Sequence, residues 1–171
     1  TQINQSFRQL DHQREGVKFI QQSIAAGTAN MLHEAAMTVE QCEDVLQLGI
    51  EISLGLDSDI VALGEMGIAN TTSASFLLAK FADLSADEVT GPGTGVFGDA
   101  LKHKTEVIGQ VLGKWQDVHE PLEILRHVGG LEIAVMSGLI LGSASRGKAI
   151  MLDGFISGAA ALVAVNLAPA C

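Results

Sequence analysis

Residues 60–75 of the chain read IVALGEMGIANTTSAS, four apolar residues that enter a glycine turn and leave it into a helix-forming segment. A short apolar strand followed at once by a helix is the unit from which parallel sheets are built, so this stretch limits the folds open to the chain. The same unit suits an anion. The first backbone N–H groups of a helix have no intrahelical partner, and the summed peptide dipole is positive there. Gly64 and Gly67 let the backbone approach a ligand, since glycine accepts positive φ and carries no Cβ. Asn70, Thr71 and Thr72 suit a helix cap, and their side chains are also able to bond a phosphate. A cap with no ligand satisfies the same residues.

Composition narrows the partners. With 171 residues, 47% of them hydrophobic, the chain is long and apolar enough for one compact domain with a real core. A net charge of −10 without a Lys/Arg cluster argues against nucleic acid, so any phosphate has to be held locally. Cys42 and Cys171 are too few for a disulfide framework or a zinc site and read as thiols of a reducing compartment. The five histidines lack metal-ligand spacing, so no metal is expected. The opening TQINQSFRQLDHQRE is polar and lacks the apolar segment of a secretory signal, which favours the cytoplasm. Residues 154–168 are nearly uncharged, yet fall short of the ~20 residues a bilayer requires; they read as a core helix and not as a membrane span.

Periodicity and capping signals give the remaining elements. Residues 38–53 place Val39, Cys42, Val45, Leu46, Ile50 and Ile52 at mostly helical spacing, with Thr38 as N-cap and an end before Gly55. Ser85 and Glu88 form a second capping-box start, for a short helix stopped at Gly91-Pro92. Helices follow over 98–112, with Lys102 and Lys104, over 121–127, with Pro121 near its start, and over 131–145. Residues 148–152, KAIML, read as a buried strand leading through Asp153-Gly154 into a last helix. The alternation predicts an α/β fold, a three-layer Rossmann-like parallel sheet flanked by helices. In such sheets ligands bind beyond the carboxyl ends of the strands, where Gly64-Glu65-Met66-Gly67 and Asp153-Gly154 both fall. Glu65, a carboxylate between glycines, points to a bound hydroxyl, backbone amides or a cation. Asp153 serves equally as an ordinary turn residue. Gly93, Thr94 and Gly95 form a second glycine cradle for phosphate or ribose. Lys104 or Lys102 supplies the one positive charge a monophosphate wants in an acidic protein, although most helix lysines are simply solvated.

Taken in order, GTANMLHEAAMT, LGEMGIANTTSAS, GPGTG with a lysine-bearing helix behind it, HVGGLEIAVMSGLILG and IMLDGFISGAAAL resemble the nicotinate-nucleotide–dimethylbenzimidazole phosphoribosyltransferases of cobalamin biosynthesis, over 27–169. The resemblance implies transfer of phosphoribose from nicotinate mononucleotide to 5,6-dimethylbenzimidazole with inversion, giving α-ribazole 5′-phosphate and nicotinate. It implies no metal or organic cofactor and a homodimer, to which the small-residue apolar helices at 131–145 and 154–168 are suited. It assigns the 5′-phosphate to Gly67, Asn70, Thr71, Thr72 and Lys104, and the ribose and nicotinate to Glu65, Gly93, Thr94, Gly95 and Asp153. The family's general base, a glutamate near its C-terminal end, is expected beyond residue 171, so that 1–171 forms an incomplete part of a larger domain, with 1–14 unassigned. Three positions depart from the family: Ala69 replaces a common glycine, tolerable where φ is negative, and Phe97-Gly98 replaces a more acidic pair. The alternative is a short, catalytically inactive relative that binds a nucleotide or phosphorylated metabolite. A generic dinucleotide binder is a poor fit, because G-x-G-x-x-G with an acidic residue ~20 positions on is absent.

Overall fold

The computed structural model describes residues 18–93 and 95–171; Thr94 and the segment 1–17, with the unassigned 1–14, lie outside the described residues. The elements run α1 (Val39–Leu54), β1 (Ile60–Leu63), α2 (Asn70–Ala82), α3 (Ala86–Val89), α4 (Asp99–Lys114), α5 (Pro121–Val128), α6 (Leu131–Ser145), β2 (Ala149–Leu152) and α7 (Phe155–Leu167). Strands β1 and β2 pair in parallel, Ile60 opposite Ala149 and Leu63 opposite Leu152, so the expected α/β class with a parallel sheet is present.

Local chemistry explains most boundaries. Thr38 Oγ1 accepts from Gln41 N at 3.1 Å while Gln41 Oε1 accepts from Thr38 N at 3.0 Å, a reciprocal box that starts α1. Glu88 does the same for α3, accepting from Ser85 N at 2.9 Å. Pro121 occupies the first turn of α5, where its missing N–H costs nothing.

The core forms where α1, α2, α5, α6 and α7 meet, around Phe76, Leu77, Val45, Leu125, Ile133 and Val163. Helices α1 and α6 cross in close contact. A Cβ on Gly142 would stand 2.9 Å from Ile50 O, and beside this contact Ser53 Oγ and Ser143 Oγ share a buried hydrogen bond of 2.8 Å. Ser137 Oγ donates to Ala160 O at 3.1 Å and ties α6 to α7. Burial raises the Cys42 thiol to about 11, so it is a packing residue and not a nucleophile. Trp115 fastens the segment before α1, its Nε1–H donating to Met31 O at 2.8 Å.

One expectation fails. Residues 148–152 read as a buried strand, yet Met151 is 61% exposed and Leu152 45%. In β1 the buried Val61 and Leu63 alternate with exposed Ile60 and Ala62. A parallel strand is buried on both sides only when a layer covers each face, and among the described residues one face of this pair is left open.

Candidate functional site

Because Leu63 is opposite Leu152, the turns that begin at Gly64 and Asp153 leave neighbouring parallel strands at the same end. In the first turn Asn70 Nδ2 donates to Glu65 Oε2 at 2.6 Å, closing the loop over Gly67. A Cβ on Gly67 would lie 2.7 Å from Asn70 Cγ and 3.0 Å from Glu65 Oε2, so this bond requires glycine there. In the second turn Ser157 Oγ accepts from Asp153 N at 3.0 Å and from Gly154 N at 2.9 Å, fixing the start of α7 and leaving the Asp153 carboxylate exposed.

The start of α2 differs from the cap expected of Asn70, Thr71 and Thr72. The capping position is Ala69, with φ 66° and no side-chain bond to the helix, and Asn70 is the first helical residue, its amide turned back to Glu65. Among the described residues, the first N–H groups of the helix thus have no capping side chain. The condition under which alanine is tolerable at 69, a negative φ, is not met: φ there is 66°, in the left-handed region. Ala69→Gly is expected to raise the stability by about 1 kcal/mol, read as a shift of the denaturation midpoint at constant slope; an unshifted midpoint would mean that the turn relaxes the strain by other means.

Lys104 Nζ donates to Thr71 Oγ1 at 3.2 Å and to Gly91 O at 2.9 Å, so α4 reaches the start of α2 and the glycine loop together. Burial moves the Lys104 pKa below the usual lysine value, and no carboxylate among the described residues pairs with it. A half-buried ammonium without a counter-charge is a ready partner for an anion. Lys102, by contrast, pairs in solvent with Asp99 at 3.3 Å. Gly93 has φ 54°, and a Cβ there would approach Thr71 Oγ1 to 3.0 Å. Ser75 Oγ donates to Val89 O at 2.7 Å and holds α3 and its loop against α2. Together Thr71, Ser75, Gly91, Gly93, Lys104 and Phe155 line a cavity of about 360 Å³.

The structure divides the expected site residues. Thr71, Gly93 and Lys104 share this cavity, whereas Asn70 and Thr72 face another of about 440 Å³ on the other flank of α2, with Phe76 and Leu131. Glu65, Gly67, Gly95 and Asp153 belong to neither lining; Glu65, Gly67 and Asp153 stand on the turns at the strand ends, and Gly95 in the loop between α3 and α4. Thr94 lies outside the described residues. Four contributors escape a reading by motif. Ser75 is legible as the residue one helical turn beyond Thr71, and Ser157 as a polar residue in the first turn of α7. Glu88 is hidden by its capping role, and Phe155 carries no local signal.

The molecule is thus a parallel α/β unit in which an uncapped helix start, a glycine loop and a lysine come together, the kind of arrangement that suits an anion. A family model described as Phosphoribosyltransferase matches residues 1–171, and the chain belongs to that family. It is 49% identical over 156 residues to the nicotinate-nucleotide–dimethylbenzimidazole phosphoribosyltransferase of Syntrophotalea carbinolica, covering 90% of this chain and 44% of that protein. The enzyme of the same name from Chloroflexus aurantiacus is 44% identical over 155 residues, 88% of this chain and 44% of the relative. Among solved structures, CobT from Thermus thermophilus superposes with a TM-score of 0.83 at 35% identity, over 88% of this chain and 46% of that one. The chain thus spans under half the length of the relatives it matches.

Proposed function

We propose that this chain carries the phosphate- and ribose-binding part of an enzyme that moves phosphoribose from nicotinate mononucleotide to 5,6-dimethylbenzimidazole, in the nucleotide-loop branch of cobalamin biosynthesis. The observation that carries the reading is Lys104, unpaired by any carboxylate among the described residues and bonded to Thr71 at the start of α2 and to Gly91 of the glycine loop. Lys104, the Thr71 hydroxyl and the first N–H groups of α2 receive the 5′-phosphate, and Gly93 and Gly95 border the ribose. Glu65 and Asp153, on adjacent strand ends, border the ribose and the nicotinate. Gly67 keeps the turn narrow, Asn70 orients Glu65, and Thr72 supports the helix start from its other flank.

The chemistry asks little covalent help of such a site. Nicotinate leaves from an already quaternary ring nitrogen, positive charge develops on the ribose, and the acceptor nitrogen attacks the opposite face, so positioning supplies most of the rate. The acceptor's N–H proton passes to a carboxylate base. No metal or organic cofactor enters the scheme. The proposal extends to a cytoplasmic homodimer in which residues 1–171 belong to one α/β domain.

Calorimetric titration with nicotinate mononucleotide, nicotinamide mononucleotide and inorganic phosphate, beside a turnover assay with dimethylbenzimidazole, tests the reading. Binding of the nicotinate mononucleotide is the expected result, and its absence would overturn the proposal. Because the chain covers only 44% of its curated relatives, binding without turnover would favour the second reading, a nucleotide-binding part without activity of its own. Glu65→Gln is expected to weaken the mononucleotide about fivefold, roughly 1 kcal/mol, while leaving inorganic phosphate unchanged. Equal losses for both ligands would show that Glu65 only props the loop through Asn70.

A further inference from the structure

Neighbouring residues at the start of α2 are bound to different partners. Thr71 Oγ1 accepts from Lys104 Nζ at 3.2 Å, whereas Asn70 Nδ2 donates to Glu65 Oε2 at 2.6 Å across the glycine turn. An ionised carboxylate only accepts, so the amide nitrogen is the atom that faces Glu65, and a contact this short is that of a charge-assisted bond. Asn70 is 9% exposed while Glu65 stands in solvent, so the amide is the packed member of the pair and the carboxylate the one that would otherwise swing. Among the described residues, Glu65 makes no other hydrogen bond. One carboxylate oxygen is thus fixed by Asn70, and the other stays open to a ligand.

Resting on the mononucleotide reading given above, we propose that Asn70 is a positioning residue for the sugar and not a ligand of the phosphate: it aims the Glu65 carboxylate at a ribose hydroxyl and acts on the ligand only through Glu65. Successive helical residues project ~100° apart, so Thr71 reaches Lys104 while Asn70 turns back to the strand end. Gly67 leaves room for the bond, since a Cβ there would stand 2.7 Å from Asn70 Cγ and 3.0 Å from Glu65 Oε2. Because the bond already restricts the rotamers of Glu65 in the free protein, a sugar that meets the open oxygen gives up less side-chain entropy on binding.

Dissociation constants for nicotinate mononucleotide and for inorganic phosphate, which lacks the sugar, test this in the unaltered chain, Asn70→Ala, Gly67→Ala, Glu65→Ala and the double variant Asn70→Ala/Glu65→Ala. Asn70→Ala is expected to weaken the mononucleotide about threefold and to leave inorganic phosphate unchanged. Once Glu65 is alanine, Asn70→Ala should change nothing further, since no carboxylate is left to aim; a residue that merely supports the helix start would keep its effect there. Gly67→Ala should reproduce the selective loss by crowding the amide from the other side, and Gly67 is not among the positive-φ glycines, so alanine acts there through that crowding. Should Asn70→Ala loosen the start of α2 and weaken both ligands alike, Gly67→Ala decides, because α2 keeps its own sequence in that variant. Equal losses of the two ligands in Gly67→Ala, an unweakened mononucleotide in both single variants, or a threefold effect of Asn70→Ala that persists without Glu65 would overturn the inference. If the mononucleotide fails to bind the unaltered chain, the mononucleotide reading itself falls, and this inference falls with it.

Discussion

Lys104→Ala is expected to weaken nicotinate mononucleotide binding by about 1.5–3 kcal/mol, roughly ten- to a hundredfold in the dissociation constant. Two effects add. The variant loses the one cation among the described residues that line the cavity at Thr71 and Gly93, and it releases Gly91 O and Thr71 Oγ1, which Lys104 Nζ holds at 2.9 and 3.2 Å. Lys104→Arg separates them: a guanidinium keeps the charge but not the compact three-donor geometry, so partial recovery assigns the loss to charge and no recovery assigns it to the shape of the loop. Lys102→Ala is the reference, because Lys102 pairs with Asp99 in solvent and its removal should leave binding unaltered. An unchanged dissociation constant for Lys104→Ala would remove the lysine from the site.

Gly138→Ala carries the largest expected cost to stability, about 3 kcal/mol, at the upper end of what overpacking a core usually costs. A Cβ at 138 would press into the carbonyl oxygen of Leu46 and stand 3.0 Å from both Gly49 Cα and Ile50 N. These are backbone atoms, so no rotamer change relieves the clash and α1 must separate from α6. The separation also stretches the Ser53–Ser143 bond of 2.8 Å, whose hydroxyls are buried away from solvent. For a chain of this size the melting temperature should fall by about 6–12 °C. Gly158→Ala, in α7, is the opposite case: among the described residues nothing lies within 4 Å of a Cβ there, and the helix gains about 0.5–1 kcal/mol from the less flexible residue. A Gly138→Ala variant as stable as the parent would show that the two helices do not approach as closely as their glycines permit.

The same contrast separates what the sequence by itself determined from what the tertiary structure decided. Element identity was local. Thr38 with Gln41 and Ser85 with Glu88 are bonds between residues three apart, Pro121 sets its own φ, and the apolar run 60–63 is ended by Gly64, so those boundaries are legible one residue at a time. The strand–glycine–helix form of 64–72 was legible too, because it rests on a helix start and two glycines within nine positions. Membership of Lys104 in the cavity was not. Lys102 and Lys104 are ~200° apart around one helix, and only the docking of α4 against Gly91 and Thr71 turns one of them inward and leaves the other in water. Neighbours along the chain were parted in the same way, Thr71 facing one cavity and Asn70 and Thr72 another, since successive helical residues point in different directions. Ala69 takes a positive φ inside the turn that the Glu65–Asn70 bond closes, and the exposure of β2 depends on whether a second layer covers the sheet. Chain stiffness and capping act over a few residues and are written in order along the sequence. Burial, counter-charge and close approach depend on groups up to 90 positions away, as at Ser53 and Ser143, and exist only once the helices have packed.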